Sequence, residues 1–274
     1  MGYNDSVRRS QLIVPFGIGA MVDFPEDTLM TAGVDFWPYE LAVDDEQKKA
    51  IRQATEVHDD RLRNRLKAVL KRDIEFLLSP TEGKRPGDPS GHHRTPMNFF
   101  RFPTWLSCPR CNVLKQHGLE LVNSPRCSSP HRLLEGSGVR CSELPQRARK
   151  IMKPVRFLIA CEDGHIDDFP WSRWVHRGSA CTASEEVLFI TSTSFDGLAG
   201  VKVSCVCGAQ RTMNRAFNPD VLLEHLPDKK CTGRRPWLGS DVCNEDCSCR
   251  NVRTLQRGSS GIYFPNIMSS ILIP

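Results

Sequence analysis

Residues 161–171 read CEDGHIDDFPW, placing a thiol, an imidazole, four carboxylates and a rigid aromatic end within eleven positions. Cys161 and His165 stand four apart, so one turn brings both to the same side, as a metal site requires. Glu162, Asp163, Asp167 and Asp168 are of the type that binds hard cations or positions basic groups. Phe169, Pro170 and Trp171 then anchor this polar segment against a core. A glycine turn with solvated carboxylates explains the same letters without chemistry. The weight therefore falls on what surrounds the stretch.

Further outward, two of the thiol groups form close pairs. Cys108-Pro109-Arg110-Cys111 is a knuckle whose two intervening residues aim both sulfurs at one ion, with Cys127 and Cys141 following. His131, four after Cys127, is an alternative to Cys141 in a set of three cysteines and one histidine. Downstream, Cys205-x-Cys207-Gly208 is a second sulfur pair, followed by Cys231, Cys243, Cys247 and Cys249. We expect Cys205, Cys207, Cys231 and Cys243 to share one tetrahedral site, with Cys161 and His165 as further candidates and Cys181 as a small core thiol. Twelve cysteines in a chain without an apolar leader at its start favour bound Zn2+ over disulfides in a reducing cytoplasmic setting. Closed sites of this kind staple a fold and leave no open position for a substrate.

Charge is segregated around the opening stretch. Residues 99–157 hold 11 Lys and Arg against 3 acidic residues, residues 158–200 hold 2 against 7, and residues 229–257 hold 7 against 3. Two basic segments thus flank an acidic one. Arg147, Arg149, Lys150, Lys153, Arg234 and Arg235 are the candidate phosphate contacts for a nucleic acid. Pairing of the basic and acidic segments inside the fold is the competing reading.

Ahead of residue 99 the chain has another character. Residues 8–24, RRSQLIVPFGIGAMVDF, suggest two strands joined at a glycine bend; Gly17 and Gly19 lack the Gly-Lys-Ser/Thr that a phosphate loop needs. Residues 31–39 read as a strand end. Ile51, Ala54, His58, Leu62, Leu66, Val69 and Leu77 recur at helical steps, giving one long amphipathic helix or two joined ones that end at Ser79-Pro80. Residues 79–98 are rich in Pro and Gly and read as a linker, with His92 and His93 incidental. Met1-Gly2 with Ser6 matches an N-myristoylation pattern only superficially, and no apolar run is long enough to span a membrane. Beyond residue 150, segments 157–160, 186–194 and 201–206 read as strands, and Asn218-Pro219 opens a short helix.

The expected fold class is α+β: zinc-stapled cysteine-rich modules, an N-terminal helical region and short antiparallel strands. The expected division is 1–98, 99–157 and 158–274. No P-loop, helicase acidic box or nucleophile with its base is present, which points to a non-catalytic protein. A metal-dependent nuclease using His165, Asp167 and Asp168, and a purely structural adaptor between proteins, are the alternatives.

Five segments in this order resemble the DrmB family of the DISARM bacterial anti-phage defence systems: RRSQLIVPFGIGAMVDF (8–24), FRFPTWLSCPRC (100–111), PVRFLIACEDGHIDDFPWSRWVHRG (154–178), CTGRRPWLG (231–239) and LQRGSSGIYFPNIMSSILIP (255–274). Ser259-Ser260-Gly261 departs modestly from that family, which reads Ala-Ser-Asn before its Tyr-Phe-Pro. The resemblance implies a partner of a DrmA-type helicase with DNA as shared ligand. Members of that family generally continue well past the last segment, so this chain is expected to be an N-terminal part or a shortened relative.

Overall fold

The computed structural model describes residues 6–24, 26–80, 83–84, 97–120, 123–192, 197–240 and 244–271. Met1, Gly2, His92, His93, Cys243 and most of the 79–98 linker lie outside those residues. The chain divides into two units: Met1–Val22, Met30–Phe99 and Tyr263–Pro274 form the first, and Asp23–Leu29 with Phe100–Ile262 form the second.

In chain order the elements up to residue 101 are β1 (Ser6–Val7), α1 (Arg9–Ile13), β2 (Met21–Asp23), β3 (Thr28–Thr31), α2 (Asp45–Thr55), α3 (Asp60–Leu70), β4 (Gly83–Lys84) and β5 (Phe99–Arg101). Strand β1 pairs antiparallel with β4. Where the sequence suggests a strand after Arg8, the chain instead makes the helical turn α1. The Gln11 side chain accepts from the Arg8 backbone N–H at 2.9 Å, holding the first turn closed. At the glycine pair, Gly19 takes a φ of +78°, and a Cβ on Gly17 would stand 2.5 Å from the Tyr263 hydroxyl. Close packing and turn geometry therefore account for both glycines.

The helical periodicity resolves into two helices. Asp44 caps α2 by accepting from Gln47 N–H at 2.7 Å, and Asp59 caps α3 by accepting from Leu62 N–H at 2.8 Å. Between them the Val57 N–H is diverted to Leu77 O at 2.8 Å, while Ser79 N–H reaches Thr55 O at 2.7 Å. The returning chain thus occupies the backbone groups that a continuous helix would need. Helix α3 ends at Leu70, where Lys71 adopts a left-handed φ of +51°, well before Ser79.

The second unit contains β6 (Trp105–Ser107), β7 (Val113–Gln116), β8 (Lys153–Pro154), β9 (Phe157–Cys161), β10 (Ile166–Asp168), α4 (Trp171–Val175), β11 (Leu188–Ser192), β12 (Val201–Cys205), β13 (Gln210–Thr212), α5 (Pro219–Leu223) and β14 (Val252–Gln256). Six strands form an antiparallel sheet in the order β13-β12-β11-β7-β6-β8, and three more form a sheet in the order β10-β9-β14. Because β11 pairs with both β7 and β12, segments read separately as 99–157 and 158–274 share one sheet. Alternation on β12 sends Val201, Val203 and Cys205 inward and Lys202 outward.

The core of this unit gathers Phe157, Ile159, Phe169, Trp171, Trp174, Leu188, Val203 and Met213. Trp171 and Trp174 are fully buried, and the Phe169 ring lies 4.8 Å from Trp171 and 5.5 Å from Trp174. The Phe-Pro-Trp end of the opening stretch is therefore the anchor its sequence suggests. Asn218 caps α5, accepting from Asp220 N–H at 3.0 Å and Val221 N–H at 3.2 Å. Among the described residues, no helix is long and apolar enough to cross a membrane.

Candidate metal centres

Three antiparallel hairpins in the second unit each end in a tight turn carrying two potential ligands. The β6–β7 turn supplies Cys108 and Cys111, the β9–β10 turn supplies Cys161 and His165, and the β12–β13 turn supplies Cys205 and Cys207. Their backbones close alike. Cys108 N–H bonds Val113 O at 2.9 Å, Cys161 N–H bonds His165 O at 3.0 Å, and Cys205 N–H bonds Ala209 O at 2.8 Å. Left-handed residues complete the turns: Asn112 at +61°, Gly164 at +87° and Gly208 at +92°.

Each pair meets two ligands from elsewhere, giving three sets whose ligand atoms all lie within 4.8 Å of one another. The first set is Cys108, Cys111, Cys127 and Cys141. Cys111 Sγ lies 3.5 Å from Cys127 Sγ, and Cys108 Sγ lies 4.0 Å from Cys141 Sγ. Cys127 is held by its N–H to Lys150 O at 2.9 Å, and Cys141 opens a short 3-10 turn. Cys141, and not His131, is the fourth member. Hydrogen bonds from Cys111 and Cys127 hold the Cys108 thiol down at about 2, while its bond to Cys108 pushes Cys127 upward. Burial drives Cys141 up to about 12. Four thiols this close cannot all ionise side by side unless a cation sits among them.

The second set is Cys161, His165, Cys231 and Cys247. Cys161 Sγ stands 3.3 Å from His165 Nδ1, and the other ring nitrogen, Nε2, bonds the Glu245 carboxylate. A histidine that offers one nitrogen to a ligand cluster and the other to a carboxylate has its tautomer and ring orientation fixed. Cys231 Sγ accepts from Gly233 N–H at 3.4 Å, and burial pushes this thiol up to about 12. Cys249 lies close to Cys161 and Asp163 without entering this foursome.

The third set is His176, Cys181, Cys205 and Cys207. His176 follows α4, and its Nδ1 donates to Ser172 O at 2.8 Å, which leaves Nε2 facing Cys207 Sγ at 3.4 Å. Cys181 Sγ lies 3.6 Å from Cys205 Sγ. Burial raises Cys205 to about 11, whereas the Ala209 backbone N–H brings Cys207 down to about 6.

The structure thus parts the four residues grouped by spacing. Cys205 and Cys207 belong to the third set, Cys231 belongs to the second, and Cys243 lies outside the described residues. Cys181, read as a core thiol, joins a ligand set; Cys247, a candidate thiol that spacing assigned to no site, joins the second, and His176 enters the third without having been singled out. A usable signal existed: each strand–turn–strand pair of ligands needs two more, and three such turns imply three sets.

The opening acidic stretch divides by function. Asp167 accepts from Arg234 and from the Thr232 hydroxyl, both at 2.8 Å. Asp168 is buried, accepts from Thr104 N–H at 2.9 Å and lies 3.6 Å from Arg234. The His165 ring is committed to Cys161 and Glu245, so these three residues do not converge on one open position.

The expected phosphate contacts are mixed in placement. Arg149 donates to Leu144 O and Ser142 O, both at 2.8 Å; Arg234 is engaged with Asp167, and Arg235 with Glu245 at 2.8 Å. Arg147 and Lys150 are exposed, and Lys153 is half-buried on β8.

An antiparallel α and β fold whose hairpin turns gather cysteines and histidines into four-ligand sets defines a protein able to hold metal ions. Residues 8–264 match DUF8724, described as a domain of unknown function, and the chain belongs to that family. It is also similar to the DISARM protein DrmB of Bacillus paralicheniformis (strain ATCC 9945a / NCIMB 11709 / CD-2), with 36% identity over 139 residues. That match takes in 50% of this chain and 22% of the relative's length.

Proposed function

We propose that this chain is a non-catalytic, zinc-stapled component of a DISARM-like anti-phage defence system, acting in the cytoplasm on DNA beside a DrmA-type helicase. The observation that carries the reading is the sorting of ten cysteines and two histidines into one all-cysteine set and two sets of three cysteines with a histidine. Zinc–sulfur bonds of about 2.3 Å at tetrahedral angles place sulfurs roughly 3.8 Å apart. The sulfur pairs at 3.5, 3.6 and 4.0 Å bracket that spacing. All-thiolate and thiolate–imidazole sets favour Zn2+ over hard cations. When bound, the ion supplies folding energy; four protein ligands leave no place for a substrate. Similarity to a DISARM protein supports the system, and the basic segments support DNA.

The experiment is elemental analysis of purified protein with DNA binding measured on the same sample. Three zinc equivalents are expected, with one lost in each of Cys108→Ser, Cys161→Ser and Cys205→Ser. Retention on DNA at low salt should weaken steeply as salt rises. Protein without zinc would overturn the structural part, and protein that ignores DNA at low salt would overturn the functional part. A specific observation favours the adaptor alternative: Arg149, Arg234 and Arg235 are engaged within the chain. The nuclease alternative requires magnesium-dependent DNA cleavage that Asp168→Ala abolishes.

A further inference from the structure

We infer that Arg173, Arg177, Arg211 and Arg215 form a phosphate-binding surface for a nucleic-acid backbone. The inference deepens the DNA reading above and rests on it. These arginines lie apart from the basic runs that stand out in the sequence; the fold gathers them. Arg173 projects from α4 and Arg177 follows it, while Arg211 lies on β13 and Arg215 in the turn after it. The two elements are joined through Trp174, whose indole N–H donates to Thr212 O at 3.2 Å.

Arg211 is the fixed centre. Its guanidinium stacks 3.6 Å from the Trp174 ring centroid, donates to Trp174 O at 3.2 Å and donates to His225 Nε2 at 2.7 Å. Arg177 and Arg215 lie near enough to be felt electrostatically by Arg211, and Arg173 and Arg177 by His225. Arg173, Arg177 and Arg215 are exposed. Among the described residues, none of the four is paired with a carboxylate. Glu224, which also bears on His225, is taken by Lys229 at 2.7 Å.

The carboxylate beside this face, Glu186, is taken by the Ser172 hydroxyl and stands 3.3 Å from His176 Nδ1. The clustered arginines thus repel one another without an acid of their own, where surfaces ordinarily intersperse carboxylates. Here the backbone adds a second oddity. Arg177 and Arg215 adopt left-handed φ values of +55° and +68°, a region that residues other than glycine seldom occupy and that tends to mark binding sites. Beside Arg177 opens a cavity of about 260 Å³ bordered by Ser179, Thr182 and Gln210, which offer further hydrogen-bond donors to phosphate oxygens.

Several guanidinium forks on one face fit a ligand bearing repeated phosphates better than one carrying a single anion. Trp174 is sealed beneath Arg211 and, among the described residues, the patch has no exposed aromatic on which bases could stack, so contact is to the backbone and tolerant of sequence.

The test uses the full chain with fluorescent single-stranded and duplex DNA across a salt series. The triple variant Arg173→Gln, Arg177→Gln, Arg215→Gln is compared with wild type and with Arg147→Gln, Lys150→Gln from the basic run. Arg211 stays, since it packs on the core. The triple variant should bind at least about ten-fold more weakly, and its log–log salt slope should be shallower by about 2 to 3, as expected for three lost phosphate contacts. Zinc content equal to wild type certifies the fold; single Arg173→Gln and Arg215→Gln variants, each lowering the slope by about one, stand in where the triple does not fold. If the patch variants bind like wild type while the Arg147 and Lys150 variant loses affinity, the surface is refuted and DNA binding stands. Wild type that binds no DNA at low salt refutes both. Loss of binding to polyglutamate with DNA binding unchanged assigns the patch to an acidic protein and overturns the inference.

Discussion

His165 directs Nε2 to the carboxylate of Glu245 while its Nδ1 faces Cys161 Sγ at 3.3 Å. Eighty residues of chain separate His165 from Glu245, so the ring orientation in this set depends on a long-range hydrogen bond. Removing such an outer partner typically weakens metal binding by about 10- to 100-fold. Glu245→Ala should therefore release one zinc equivalent of three at lower chelator concentration than wild type. Arg235 also loses its partner, but that pair is partly exposed and contributes little. A release curve identical to wild type for all three equivalents would show that Glu245 does not orient the ligand.

Gly233 sits where the same two segments touch. Its φ is +66°, and a Cβ there would stand 1.8 Å from the Glu245 carbonyl oxygen. Its N–H donates to Cys231 Sγ at 3.4 Å, and its O accepts from Glu245 N–H at 2.9 Å. Gly233→Ala must displace backbone beside a ligand, and we expect a loss of at least about 3 kcal/mol together with weakened metal retention. Gly258→Ala, whose Cβ would meet nothing within 4 Å, should stay within about 0.5 kcal/mol of wild type. Thermal melts of the two variants side by side decide it; equal melting temperatures would contradict the packing described.

Much of this site is readable locally and the remainder is not, for physical reasons. Cys108 with Cys111, and Cys205 with Cys207, declare themselves because a tight turn fixes their geometry within a few residues. Which distant thiols join them depends on strand pairing. Cys231 falls to Cys161 because Ile166 N–H bonds Arg234 O at 3.0 Å and Arg234 bridges Asn244, tying residues 231–234 and 244–247 to β10. Nothing near Cys231 encodes that choice. The basic residues illustrate the same limit, since Arg149 caps local carbonyls and Arg234 answers Asp167, while Arg173, Arg177, Arg211 and Arg215 are scattered in sequence. In place of the strand expected after Arg8 stands a helical turn whose opening Arg8 N–H donates to the Gln11 side chain.

Cys181 is the residue whose role changed most between sequence and fold, and it offers a clean test. Its sulfur lies 3.6 Å from Cys205 Sγ within the third set. Cys181→Ser should remove one zinc equivalent while leaving the other two. On cobalt substitution, the thiolate-to-metal absorbance should fall by the share of one site built from three cysteines and a histidine. A core thiol would behave otherwise: serine would lower the melting temperature slightly and leave all three equivalents in place.

Asp168 gives the acidic stretch a measurable signature in pH. Burial, reinforced by the neighbouring Asp167, pushes its carboxyl up to about 6 from an ordinary 3.8, against the hydrogen bonds from Thr104 and the charge of Arg234. Between those values the folded chain keeps a proton that the unfolded chain has lost. This group's contribution to stability therefore declines as pH rises through the window and levels off above about 6. Linkage makes the decline about 1 kcal/mol between pH 5 and pH 7. Asp168→Asn cannot titrate and removes that term, and Asp167 remains to hold Arg234 at 2.8 Å. Denaturant unfolding of both proteins, with zinc content matched at each pH, isolates it as a difference. The wild-type advantage over the variant should shrink by about 1 kcal/mol from pH 5 to pH 7, and a difference that stays flat would mean the carboxylate is already ionised when buried.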